Sequence, residues 1–225
     1  MERIRAWTAA TLVILAASTP HLTASANENW RAYTYNAVAT VTAVKGLNAL
    51  AEAIHKETQG QLSIRLNLGG TLPITAASIT QAVADNVVQM GDDASFVGNV
   101  PVGGLVRLPM FLRTRAEFEK AWDMEAEYLR ADLARKNVVL LGRYIYPENV
   151  AWSKKKLASL ADFAGQKIRV ISPEQAEFMK TLGAIPVTLG TSEVAAALDR
   201  GVIDGALTAS SGYGYVWRDL FKYSY

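Results

Sequence analysis

Between Leu157 and Leu207 the hydrophobic pattern changes period repeatedly, and each change falls at a residue suited to ending one element and starting the next. Ser159 and Asp162 have capping-box spacing, and Gly165 can close the short helix they open. Ile168–Ile171 is a β-branched run. Ser172 then offers an N-cap, Pro173 fits the first helical position, and Gln175 completes a second box. Gly183 ends that helix, Pro186–Leu189 reads as a strand, Glu193 lies in the first turn of another helix, and Gly201 closes it before a strand at Val202-Ile203. Strands separated by helices predict a parallel α/β unit, in which ligands bind beyond the carboxyl ends of the strands. Arg169, Ser192, Glu193, Asp204 and Thr208 are expected at or near those ends.

The preceding chain repeats the theme. Trp30–Tyr35 is an aromatic, β-prone run, followed by a loop over Asn36–Thr42 and then helical spacing at Val44, Leu47, Leu50, Ala51 and Ile54. Gly60 ends that helix; Leu62, Ile64, Leu66 and Leu68 alternate as in a half-buried strand, and Gly69-Gly70 turns the chain. Ile79, Val83 and Val87 predict a second helix, and Val87–Met90 a third strand. A turn-rich stretch fills Asp92–Gly104. Thr114 and Glu117 form another capping box, opening a helix to about Lys136 whose buried face carries Phe118, Ala121, Trp122, Leu129 and Leu133. Val138–Leu141 reads as a strand, with a crossing at Gly142–Trp152. The expected architecture is two similar α/β lobes, residues 27–142 and 143–225.

Composition narrows the function. Of the 225 residues half are hydrophobic and a fifth charged, as in ordinary globular proteins, and a net charge of +2 gives no nucleic-acid surface. There is no cysteine, which removes disulfide and thiolate chemistry, and the two histidines, His21 and His55, offer little for acid–base catalysis. Met1–Arg5 is basic, Trp7–Ala17 is an apolar core too short to span a bilayer, and Ala24-Ser25-Ala26 is a cleavage site. Together they predict a signal peptide cut after Ala26 and an exported protein. Asp92-Asp93 can be read as a cation site, but adjacent loop aspartates are ordinarily just solvated. Glu193 and Asp204 would be the acid–base pair of an enzyme, yet no activated nucleophile, phosphate loop or G-x-G-x-x-G accompanies them.

Three stretches carry a resemblance. G-x-K-I-R-V at Gly165–Val170, L-G-A-x-P-V at Leu182–Val187 and S-E-V-x-x-A-L-x-x-G-V-I-D-G at Ser192–Gly205 are similar to the periplasmic solute-binding proteins of TRAP transporters, the DctP-type family. The resemblance implies a two-lobed periplasmic binding protein fold, capture of a small organic acid by cleft closure, delivery to a TRAP-type membrane permease, and no cofactor. A ligand-binding sensor of the same fold and a truncated fragment are the alternatives. Members continue past the last strand with a return to the first lobe, so a missing C-terminal part is expected.

It also implies the site. Arg169 matches the family's carboxylate-binding arginine, whose planar fork can hold a carboxylate through two parallel hydrogen bonds. The second arginine of many members is replaced by Asn149, with Arg143 close by but out of register; Thr208 stands where an asparagine is common, and Thr191 where an aromatic is common. Ser95 and Phe96 are expected to line the cleft beside Asn36. Tyr146, Trp152 and Tyr213 can supply flat walls and polar tips, and Glu193 completes the candidate set. With a single arginine retained, a monocarboxylate such as a keto, hydroxy or aromatic acid is expected over a dicarboxylate.

Overall fold

The computed structural model describes residues 27–225; the predicted leader and its cleavage site at Ala26 lie outside them. The aromatic run at the start forms β1 (Glu28–Thr34), which is buried toward its carboxyl end. Helix α1 (Thr42–Glu57) leads to β2 (Leu62–Asn67), and α2 (Ile79–Ala84) to β3 (Met90–Asp92). These strands form a parallel sheet in the order β2-β1-β3. Asn86 takes a left-handed φ of 55° that stops α2 early. Val87 is therefore a turn residue, and β3 begins at Met90 rather than Val87.

Residues 93–114 hold short 3₁₀ turns, and the Thr114–Glu117 capping box then opens α3 (Arg115–Ala134) as expected. The strand expected at Val138–Leu141 does not form. Val138 and Leu140 pack beside Val100, Leu129 and Leu133, while Val139 and Leu141 are 77% and 70% exposed. Alternation there reflects one buried face, without a ladder partner among the described residues.

A second sheet, ordered β6-β5-β7-β4-β8, comprises β4 (Asn149–Ser153), β5 (Lys167–Val170), β6 (Ile185–Thr188), β7 (Gly205–Ala209) and β8 (Tyr223–Ser224). Helices α4 (Pro173–Thr181) and α5 (Val194–Asp199) make its crossovers; β6 and β7 run parallel to β5, and β4 antiparallel to β7. Ser172 accepts from Gln175 N–H at the α4 start. Gly165, Gly183 and Gly201 have φ of 70°, 73° and 67°, the left-handed values that end a helix and that glycine adopts without strain. The strand expected at Val202-Ile203 starts instead at Gly205, because only there does the chain come alongside Ile168 of β5. Ile203 instead joins the core.

The sheets share that core. Val41 and Val44 from the start of α1, with Leu66 and Leu68, pack against Val194, Leu198, Ile203, Ala206, Tyr213, Trp217 and Phe221. No described helix is long and apolar enough to cross a membrane.

Candidate functional site

In a sheet ordered β2-β1-β3, successive connections leave β1 on opposite sides, so the carboxyl ends of β1 and β3 flank a crevice. Thr34 pairs with Asp92 at this point. The second sheet has the same feature between β5 and β7, where Arg169 pairs with Ala206.

At the first, a hydrogen-bonded cluster forms. Asp92 Oδ2 accepts from the Thr34 hydroxyl at 2.5 Å and from Asn36 Nδ2 at 3.0 Å. The Tyr144 hydroxyl donates to both Asp92 oxygens, at 2.9 and 3.1 Å, and lies 3.5 Å from the Tyr35 hydroxyl. Asn36 is fully buried, and its Oδ1 accepts from Tyr146 at 3.3 Å. Burial pushes the Asp92 carboxyl up, while its hydrogen bonds from Thr34, Tyr144 and Asn36 pull it down. Tyr35 is driven well above the usual phenol range, chiefly by burial and then by Tyr146 and Asp92. Asp92 and Asp93 are therefore not a solvated pair. Asp93 accepts from the N–H and hydroxyl of Thr80 and from Ser95 N–H, and no metal-binding cluster of His, Asp or Glu occurs among the described residues.

At the second, Arg169 is 2% exposed. Its Nε donates to the Leu189 carbonyl at 3.0 Å, its guanidinium lies over Trp217 with 5.4 Å to the ring centroid, and Nη2 is buried with no hydrogen-bond partner. Burial pushes its pKa down to about 10, against the opposing influence of Tyr35, Tyr213 and Glu193. An orphaned guanidinium N–H in a dry site is costly, and an anion presenting two oxygens would satisfy it.

Tyr35 links the two places: its N–H donates to the Asp92 carbonyl at 3.3 Å, and its carbonyl meets Thr191, two residues beyond the Leu189 carbonyl that holds Arg169. Hydrogen bonds tie the sheets together around it. Thr191 donates to the Tyr35 carbonyl at 2.6 Å, Ala37 N–H to the Tyr213 hydroxyl at 2.7 Å, and the Ser95 hydroxyl to the Ile171 carbonyl at 3.2 Å. Tyr213 stacks on Trp217 with 4.6 Å between centroids.

The structure brings Arg169, Tyr213, Asn36 and Tyr146 to this region, and Ser95 to the contact between sheets. Others lie elsewhere. Phe96 packs into the cluster of Val100 and Leu129, under the Arg107 guanidinium, since Gly103 leaves room for its ring. Trp152 is held in the shared core against Phe221 and Gly214. Thr208 is buried within β7 opposite Val150, and Asn149 is exposed at the start of β4 opposite Ala209. Glu193 caps its own turn by accepting from Gly190 N–H, which fits the favoured place of a carboxylate at a helix start. Asp204 precedes β7 and so sits at the far end from the crevice, accepting from Lys167 N–H and paired with Lys155 at 3.6 Å. Glu193 and Asp204 thus serve separate structural contacts and form no acid–base pair. Arg143 pairs with Glu119 and stacks on Phe118 and Trp122 of α3.

Sequence reasoning missed Tyr35, Thr34, Tyr144 and Trp217, and discounted Asp92. The Y-x-Y spacing of Tyr144 and Tyr146 was the available signal, since residues two apart on an extended segment share a face.

Residues 34–216 match the model for bacterial extracellular solute-binding protein, family 7. The uncharacterized protein YiiZ of Salmonella typhimurium is 28% identical over 170 residues, which is 71% of this chain and 50% of its own length. The crystal structure of DctP7, a Bordetella pertussis extracytoplasmic solute receptor binding pyroglutamic acid, is similar with a TM-score of 0.81 and 27% identity, covering 88% of this chain and 66% of that one. A marine metagenome TRAP solute-binding protein specific for pyroglutamate gives a TM-score of 0.81 and 26% identity, covering 89% and 66%. The chain spans about half the length of the curated relative and about two thirds of these solved structures.

Proposed function

Because the chain belongs to bacterial extracellular solute-binding protein family 7, we propose that it captures a small organic carboxylate between its two sheets and delivers it to a TRAP-type membrane permease. The observation that carries this reading is the unpartnered Nη2 of the buried Arg169. Nε is already fixed by Leu189, so the fork is held in one orientation before any ligand arrives. A carboxylate entering opposite it forms charge-assisted hydrogen bonds in a site without water to compete, which is where such bonds are strongest.

Access requires the sheets to part, since Arg169 is closed off by the contacts around Tyr35. The ties from Thr191 to Tyr35 and from Ala37 to Tyr213 are the ones that break on opening and reform over the ligand. Closure then has a chemical trigger, because the ligand relieves the uncompensated cation only in the closed form. The closed form is what the permease would recognise. Export through the leader at 1–26 places this cycle in the periplasm. The pyroglutamate receptors above make a lactam acid the first candidate ligand.

Thermal unfolding of the purified chain against a panel of organic acids tests the reading. One class should raise the melting temperature of the wild type and leave Arg169→Ala unmoved. Stabilisation of equal size in both forms would overturn the role given to Arg169.

A further inference from the structure

We propose that Asp92 reads a hydrogen-bond donor on the ligand, so that the cleft selects carboxylates bearing an N–H or O–H group and rejects dicarboxylates. This inference rests on the proposed function and adds the chemistry of the ligand's other end.

The two crevices are chemically opposite. Arg169, beside β7, offers a cation with a spare donor; Asp92, beside β1, offers an anion. Tyr35 bridges them, its N–H donating to the Asp92 carbonyl at 3.3 Å and its own carbonyl accepting from Thr191, two residues beyond the Leu189 carbonyl that holds Arg169, so a ligand that reaches Arg169 extends along Tyr35 toward Asp92. No lysine, arginine or histidine pairs with Asp92 among the described residues; the ion pairs lie elsewhere. Arg107, a half-buried cation of this region, donates to the Ala94 carbonyl at 2.6 Å and forms no ion pair with Asp92. Asp92 is held by neutral donors alone.

Those donors leave capacity. Two carboxylate oxygens offer about four acceptor sites. Oδ2 takes Thr34 and Asn36, and Tyr144 is shared between Oδ1 and Oδ2, so Oδ1 has only this divided bond. A ligand N–H or O–H directed there supplies a charge-assisted bond. A ligand ether oxygen would put lone pair against lone pair, and a second carboxylate would put two negative charges together in a dry cleft. Burial already raises the pKa of Asp92, a cost that a ligand donor relieves.

Isothermal titration of the purified chain with matched acids tests this. One pair is pyroglutamate and 5-oxotetrahydrofuran-2-carboxylate, its N–H replaced by oxygen; the other is lactate and 2-methoxypropanoate; succinate is the dicarboxylate. A site built around a hydrogen-bonding partner rejects an analogue lacking it, so wild type should favour the donor-bearing member at least about tenfold in the pair that fits, and bind succinate more weakly than that member. Asp92→Asn, whose amide can turn to donate, should reduce that preference to below about threefold. Equal binding of both members by wild type, or a preference unchanged in Asp92→Asn, overturns the role of Asp92 and leaves the carboxylate reading standing if Arg169→Ala still abolishes binding. Binding of no acid at all overturns both. The wild-type ratio decides the matter even if the variant fails to fold.

Discussion

Replacing Arg169 by methionine should leave the empty protein as stable as before or more so, while removing its response to ligand. The guanidinium is 2% exposed and its pKa is pushed down to about 10 by burial. Measured from its ordinary value near 12.5, that displacement corresponds to about 3 kcal/mol of unfavourable burial. The folded pKa is the lower one, so the group is charged in both states at pH 7; the penalty is present in full there and is relieved only as pH rises through about 10. Against it stand the stacking over Trp217, about 1–2 kcal/mol, and the bond to the Leu189 carbonyl, about 1 kcal/mol. Methionine fills similar space with a flexible apolar chain. The balance runs from about zero to about 1 kcal/mol in favour of the variant, or a rise in melting temperature of up to about 2–4 °C for a chain of this length. Ligand at about a hundred times its dissociation constant adds about 2.7 kcal/mol to the wild type and nothing to Arg169→Met. Scanning calorimetry with and without ligand measures both. A melting temperature for empty Arg169→Met more than about 6 °C below wild type would refute the reasoning, because the guanidinium would then be net stabilising without a ligand.

Gly205→Ala should destabilise by about 1–3 kcal/mol or more, since the added Cβ would lie 2.4 Å from the Trp152 carbonyl oxygen and neither backbone can yield cheaply; urea denaturation at constant m-value checks it. Thr191→Val keeps the shape and loses the bond to the Tyr35 carbonyl, so stability should fall by about 1–2 kcal/mol, and ligand dissociation, followed by stopped flow, should accelerate. The folded pKa of Asp92 is raised, so its contribution is most favourable below about pH 4 and is lost as pH climbs through the folded value. Asp92→Asn should therefore gain on wild type in melting temperature between pH 4.5 and 7.5; a difference independent of pH would contradict the raised value.

Much of the second sheet was legible because its boundaries are local. Ser172, Pro173 and glycines 165, 183 and 201 dictate backbone angles that nothing distant has to supply. Strand identity was less so. Val138–Leu141 has the alternation of a strand and, among the described residues, no neighbour to bond, and Val202-Ile203 has the composition of one but lies short of β5. Pairing is a property of two segments, and a pattern in one does not fix it. The site divides the same way. Arg169 was found through its resemblance to a motif, whereas Asp92 looked like an ordinary loop aspartate. Its meaning comes from Thr34, Asn36 and Tyr144, up to 58 residues away in the chain, and only the parallel register of β1 with β3 unites them.

The apolar cluster common to both sheets has a consequence for how the chain is made. Val41 and Val44 leave the ribosome some 150 to 180 residues before Val194, Trp217 and Phe221, their partners in the core. During that interval the first sheet can form its parallel ladders but has nothing to place over the start of α1. Its early folding is incomplete by construction, with an apolar face open to chaperones and to other nascent chains. Completion waits on contacts of large sequence separation, which are the slow ones to form. A chain held back from folding in this way stays threadable for a longer time after synthesis, which is the state that passage through a membrane pore demands.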